Sequence, residues 1–334
     1  MRVSAFICGS KGFFETLSSH DSQVTKEQEM KVGFIGLGLM GSSMALNVRA
    51  KGYEMTVYDL RKEAGAPHVA AGCAWAENAR QVAAASDVVF TSLPGPKEVE
   101  AVAEELLAGM RKGSTWFDLS TNSPTVVRRL HQRCAEKGIA LLDAPVSGGP
   151  SGAKSRQLAL WVGGDQAVYE RHKPLLDAIG DEPVLIGPIG AGSVAKLMHN
   201  CAGYAIGVAL AEVFTVGVKA GIDPVAMWSA VRQGAVGRKR AFDRLSEQFL
   251  LGKYEPAAFA LKLGVKDVML ATELGRELGV PMRVANLTAA EMTDALNRGW
   301  GERDTRCFML LQEERAGVHI SAPAEKIQEV LKRG

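Results

Sequence analysis

Gly36, Gly38 and Gly41 form the pattern G-x-G-x-x-G between the apolar run VGFI and a stretch of helical periodicity carrying Met40, Met44, Ala45 and Val48, and Asp59 closes the next apolar run. Each glycine has a physical task in such a turn. The first permits a tight bend, the second lets backbone approach a diphosphate, and the third lets the following helix pack closely on the strand. A diphosphate placed there meets free N–H groups and the positive end of the helix dipole. A glycine-rich turn alone is weak ground, but strand, turn, helix, strand and acid in this order read as a dinucleotide site. Gly36, Leu37, Gly38, Leu39, Met40 and Gly41 are therefore the expected cradle. Asp59 is the expected acceptor for the adenosine ribose hydroxyls and would repel a 2′-phosphate, which favours NAD while leaving NADP possible. Arg61 and Lys62 follow it; they could meet a 2′-phosphate or simply be solvated, the commoner state of exposed cations.

The elements that must position these residues can be read from periodicity. Short β-rich runs over 32–35, 55–58, 88–92, 115–119, 140–144, 158–162 and 184–186 alternate with helical stretches, as in a parallel sheet covered by crossover helices. After Gly192 the strands stop. One helix is predicted over 193–219, ending at Gly221, and Asp223 with Pro224 supplies an N-cap and first-turn proline for the next. Another is predicted over 257–278, before Gly279 and Pro281. The fold class is α/β, a Rossmann-type doubly wound sheet followed by an all-α C-terminal domain. The expected divisions are an extension over 1–29, a dinucleotide-binding domain over 30–192, a helical substrate and oligomerisation domain over 193–316, and a tail over 317–334.

Composition narrows the partners. A chain of 334 residues is long enough for two cores. With 39 Lys plus Arg against 37 Asp plus Glu, it lacks the basic excess of a nucleic-acid or membrane-surface protein. A small molecule is the expected partner. Cys8, Cys73, Cys134, Cys201 and Cys307 lie far apart without a C-x-x-C pair, so no metal site or disulfide framework is indicated, and a cytoplasmic setting fits. The apolar stretch 201–211 is too short to span a bilayer. Residues 1–29 lack a signal-type apolar core and are acidic for a mitochondrial presequence, while Met30 opens MKVGFIG like a natural start.

Four blocks in order, GFIGLGLMGSSMALN, DAPVSGGPSGAKSRQLALWVGG, GAGSVAKLMHN and LGVKDVMLA, make the chain resemble the β-hydroxyacid dehydrogenase family, which includes 3-hydroxyisobutyrate dehydrogenases and tartronate semialdehyde reductases. That resemblance implies reversible oxidation of a small β-hydroxyacid to its semialdehyde with NAD, by a homodimer or homotetramer. It gives Ser147, Gly148 and Gly149 to the substrate carboxylate, and a hydroxyl beside two glycines can indeed approach an anion without a blocking Cβ. Without the resemblance the same run reads equally as a domain-closing loop. It makes Lys196 the acid/base, with Asn200 as its partner at a spacing that puts both on one helix face. A lone helical lysine is otherwise a solvated cation. Leu93, Pro94, Thr121 and Lys266 are implied as cofactor contacts.

Arg238, Lys239 and Arg240 depart from the family pattern. Arg238 could hold a second anionic group on the substrate, although a solvated loop or oligomer contact is the commoner fate of such a run. Two other enzyme readings fit less well. A phosphogluconate-like dehydrogenase would carry a longer helical domain, and an imine-reductase-like enzyme places an acid or Tyr where Lys196 stands. A non-catalytic NAD-binding scaffold would have no need of Lys196, Asn200 and the Ser147 turn together.

Overall fold

The computed structural model describes residues 30–238 and 241–333. The 1–29 extension, and Lys239 and Arg240 of the cationic run, lie outside the described residues. The chain divides into two compact units between Cys201 and Ala202.

The first unit is built on a nine-stranded sheet: β1 (Lys31–Ile35), β2 (Glu54–Tyr58), β3 (Ala74–Trp75), β4 (Val88–Thr91), β5 (Thr115–Asp118), β6 (Ala140–Asp143), β7 (Val146–Ser147), β8 (Ala159–Gly163) and β9 (Val184–Gly187). Strands β3-β2-β1-β4-β5-β6 lie side by side and all parallel, the order of the doubly wound dinucleotide fold. Then β8 joins β6 antiparallel at Asp143 and Gly163, pairs antiparallel with β7 and carries β9 in parallel. The two-residue strands β3 and β7 escape a periodicity reading, being too short to show one.

Alternation across the sheet supplies its two cores. Phe34, Phe90, Phe117 and Leu142 are register neighbours packed on one face, with Phe34–Phe90 and Phe90–Phe117 centroids 5.9 and 5.4 Å apart. Ile35, Val89, Trp116 and Leu141 pack on the other. Both sides of each central strand are thus apolar, as a parallel sheet sandwiched by helices requires. The helices of this unit are α1 (Gly41–Arg49), α2 (Ala66–Ala70), α3 (Ala79–Ala84), α4 (Pro96–Gly109), α5 (Pro124–Glu136), α6 (Gly149–Ser155) and α7 (Gln166–Asp177), with the first turns of α8 (Ala191–Lys219).

In the second unit α8 is followed by α9 (Pro224–Gln233), α10 (Ala235–Arg238), α11 (Leu261–Glu277), α12 (Arg283–Ala295), α13 (Leu310–Ala316) and α14 (Ala324–Arg333). Asp223 caps α9 as expected, its Oδ1 accepting from the Val225 and Ala226 amides at 3.0 Å. Helix α11 starts four residues later than the periodicity suggests: the buried Asp304 carboxylate takes the Ala258 and Phe259 amides, and the Ala260 backbone bridges to that of Asp304. Within the tail over 317–334, α14 forms and buries Ile327.

The division between the compact units falls inside α8. The helix start is tied to the sheet: Asp143, at the end of β6, accepts from the Gly190 amide at 2.7 Å and the Ser193 amide at 2.6 Å. A Cβ on Gly192 would run into the Trp161 carbonyl oxygen, so backbone meets backbone at this point.

Candidate functional site

The glycine turn leaves β1 at Gly36, whose φ of +92° is open to glycine and strained for other residues. A side chain on Gly36 would also collide with the Ser92 carbonyl, and one on Gly41 with the Gly36 carbonyl. These two glycines are required by the turn itself. Gly38 differs, since a Cβ there would meet no protein atom within 4 Å. Protein packing gives no reason for glycine at Gly38, whereas close approach of a diphosphate does. Leu37 is buried and turns its side chain into the core, while Leu39 is 85% exposed beside the open turn.

Asp59, just beyond β2, is bound into this turn. Its Oδ2 accepts from the Leu37 amide at 2.7 Å, its Oδ1 accepts from the Arg61 amide at 2.9 Å, and the Arg61 guanidinium stands 3.4 Å from Oδ1. A carboxylate has about four lone-pair sites, so acceptor capacity for a diol remains.

The turn opens where strand order reverses between β1 and β4, the crevice in which doubly wound sheets bind ligands. The loops after β4 and β5, which carry Leu93, Pro94 and Thr121, are fixed from beneath by a buried network centred on Asp118. Its Oδ1 accepts from the Thr91 hydroxyl at 2.9 Å and the Ser120 amide at 3.1 Å, and its Oδ2 from the Asn122 side-chain amide at 2.8 Å. The Ser120 hydroxyl accepts from the Leu93 amide at 2.9 Å, tying the two loops together. Burial pushes the Asp118 carboxyl above the usual carboxylate range, against the pull of those donors. Sequence reasoning passed over Asp118, although an acid inside an apolar strand is itself a signal of a buried network.

The second cluster gathers around the start of α8. Ser147 pairs in register with Ala159, and Trp161 lies two residues further along β8, so the three share one face of the sheet. His199 reaches this face from α8, its Nε2 3.2 Å from the Ser147 hydroxyl oxygen and its ring 5.1 Å from that of Trp161 at 53°. Lys196 and Asn200 stand three residues before and one after His199, both half-buried. Burial holds the Lys196 ammonium below the usual lysine range. Gly148 and Gly149 follow Ser147, both exposed; Gly149 has φ +65° and open space where a Cβ would stand. Asp143, whose carboxyl burial pushes up, Trp161 and His199 belong to this cluster and were not singled out by the sequence reading. A carboxylate closing β6 was the visible signal for Asp143.

Ser147, Gly148, Gly149, Lys196 and Asn200 therefore belong to the same unit as the glycine turn. Arg238 ends α10 and is exposed, and Lys266 lies on α11, both in the second unit. Among the described residues no group of three or more His, Cys, Asp or Glu could hold a metal ion.

The chain is similar to known proteins along most of its length. Residues 31–189 match the family described as the NAD binding domain of 6-phosphogluconate dehydrogenase, and residues 190–311 the one described as NAD-binding of NADP-dependent 3-hydroxyisobutyrate dehydrogenase. The 2-(hydroxymethyl)glutarate dehydrogenase of Eubacterium barkeri is 35% identical over 298 residues, spanning 88% of this chain and 99% of that protein. The chain belongs to the β-hydroxyacid dehydrogenase family. Another relative in the β-hydroxyacid dehydrogenase family, the NAD-dependent L-serine dehydrogenase of Pseudomonas aeruginosa, is 33% identical over 282 residues, 82% of this chain and 95% of that one. The Mycobacterium tuberculosis 3-hydroxyisobutyrate dehydrogenase, solved with L-serine, superposes with a TM-score of 0.60 at 26% identity, covering 85% of this chain and 99% of that chain. As a β-hydroxyacid dehydrogenase the protein is an NAD(P)-dependent oxidoreductase. Among the described residues no helix is long and apolar enough to cross a membrane.

Proposed function

We propose that the protein interconverts a small β-hydroxyacid and its semialdehyde with NAD, using Lys196 as acid and base. The observation that carries this reading is the half-buried Lys196, with its ammonium destabilised by burial, on a helix whose next turn touches Ser147. NAD, when bound, supplies the hydride acceptor. Gly36 to Gly41 hold its diphosphate, Asp59 its ribose, and Leu93, Pro94 and Thr121 line it. For oxidation, neutral Lys196 takes the alcohol proton at Nζ; in reduction its ammonium returns a proton to the carbonyl oxygen. Asn200 donates to that same oxygen, while Ser147 and the Gly148 and Gly149 amides hold the carboxylate, which fixes the reacting carbon.

NAD is preferred in this reading because the Asp59 carboxylate would face a 2′-phosphate with like charge. The relative from Eubacterium barkeri is named for a substrate with two carboxylates, and such a dicarboxylic hydroxyacid belongs among the substrates to be tested. Buried, unpaired Cys73, Cys134 and Cys307 support a reducing cytosolic setting, and we take the enzyme to work there as a homo-oligomer.

The test is NADH absorbance with 3-hydroxyisobutyrate, glycerate, threonate, 4-hydroxybutyrate, L-serine and 2-(hydroxymethyl)glutarate, each with NAD and with NADP. Turnover of at least one, abolished in Lys196→Ala while NADH still binds, is the expected result. No turnover of any, or full turnover without Lys196, overturns the reading.

A further inference from the structure

We propose that His199 is a positioning residue that sets the direction in which the Ser147 hydroxyl donates, and so tunes affinity for the substrate's carboxylate. The inference rests on the reading that Ser147 holds that carboxylate. A serine hydroxyl has a single proton to give. With Nε2 of His199 3.2 Å from the Ser147 oxygen, that proton goes either to the imidazole or elsewhere. If Nε2 is bare, Ser147 donates to His199 and turns lone pairs toward an incoming carboxylate, a repulsive arrangement. If Nε2 carries its hydrogen, His199 donates to the serine oxygen and the serine proton is free to point at the anion. Carboxylate binding therefore selects the form of His199 with Nε2–H.

The histidine is held for this task. Its ring leans on Trp161, whose strand pairs with the one that carries Ser147, so the imidazole and the hydroxyl are referred to the same two-stranded corner. His199 also follows Lys196 by three residues on the helix that Asp143 anchors, which places it on the face adjoining the acid/base. Movement of α8 that displaced Lys196 would break the His199–Ser147 contact as well. One helix thus carries both the proton-transfer group and the group that orders the carboxylate donor.

His199→Phe keeps a ring against Trp161 and removes the hydrogen bond. With whichever hydroxyacid of the panel turns over best, KM is expected to rise about tenfold, equivalent to about 1.4 kcal/mol, with kcat within about twofold and NADH affinity unchanged. His199→Gln, which restores an N–H at similar reach, is expected to recover most of that loss. In a Ser147→Ala background the His199→Phe change is expected to add nothing to KM, because the two act through one bond. Three results would overturn the inference: an unchanged KM in His199→Phe, a loss confined to kcat, or additive effects of the two substitutions. If His199→Phe fails to fold, the His199→Gln and His199→Asn pair decides, since the shorter amide falls back from Ser147 and equal KM values for the two would refute the bond. The underlying reading fails separately, if Ser147→Ala alone leaves KM unaltered.

Discussion

Asp143 accepts a 2.6 Å hydrogen bond from the backbone amide of Ser193, and this bond joins the last residue of β6 to the first turn of the helix that carries Lys196. A second bond, from the Gly190 amide at 2.7 Å, uses the other carboxylate oxygen. The first amides of a helix have no partner within it, and a buried acid at that end satisfies them and complements the dipole.

Replacing Asp143 by Ala is expected to strand both amides in a buried site. A buried donor left unsatisfied costs about 1–3 kcal/mol, so two place the loss at about 2–6 kcal/mol. Chemical denaturation measures it. Because Lys196 rides on the same helix, kcat is expected to fall in whatever protein remains folded. A variant with unchanged stability would show that water replaces the carboxylate and that the anchor is unimportant.

The glycines of the turn after β1 separate folding from the proposed cofactor binding. Gly41→Ala drives a methyl group into the Gly36 carbonyl, and overpacking of this kind costs about 1–3 kcal/mol or more. Gly38→Ala meets no protein atom within 4 Å. Its melting temperature is expected to match that of the unaltered protein, while its affinity for NADH, read by fluorescence titration, drops at least about tenfold, equivalent to about 1.4 kcal/mol. Equal NADH affinity in Gly38→Ala would move the diphosphate away from this turn.

Much of this arrangement was legible because each local pattern agreed with the global one. The glycine turn, Asp59 and the cap at Asp223 are short-range devices whose partners lie within one βαβ unit or one helical turn, so spacing alone exposes them. What spacing could not expose is contact across the chain. Thr91, Asp118 and Asn122 meet through neighbouring strands and loops, and His199 meets Ser147 across 52 residues. Strand β7 went unseen for a related reason: two residues carry no period, and Val146 and Ser147 become a strand only because β8 folds back to pair with them.

Asp59→Asn addresses the choice of cofactor without dismantling the turn. The side-chain oxygen of Asn can still accept from the Leu37 amide, whereas the negative charge is gone and Arg61 stays in place. The unaltered enzyme is expected to favour NAD, and the variant to lower its KM for NADP at least about tenfold, by removal of like-charge repulsion equivalent to about 1.4 kcal/mol or more. Steady-state kinetics with both cofactors checks it. A native enzyme that already prefers NADP would reverse the assignment of Asp59.

The pH profile of Lys196 follows from its burial. Desolvation disfavours the ammonium, so the folded protein releases this proton below the ordinary lysine value of about 10.4. Between the folded and the ordinary value the unfolded chain binds more protons than the native one, so Lys196 makes stability rise with pH through that window and fall as pH drops through the folded value. In the proposed mechanism neutral Lys196 is the base for oxidation, so catalysis has the same sense: kcat/KM is expected to climb with pH along a limb centred below about 10.4, and reduction, which would need the ammonium, to decline along the same limb. Lys196→Gln should remove the limb together with the activity. A limb centred at or above the ordinary lysine value, or one that survives in the residual activity of Lys196→Gln, would assign the proton transfer to another group.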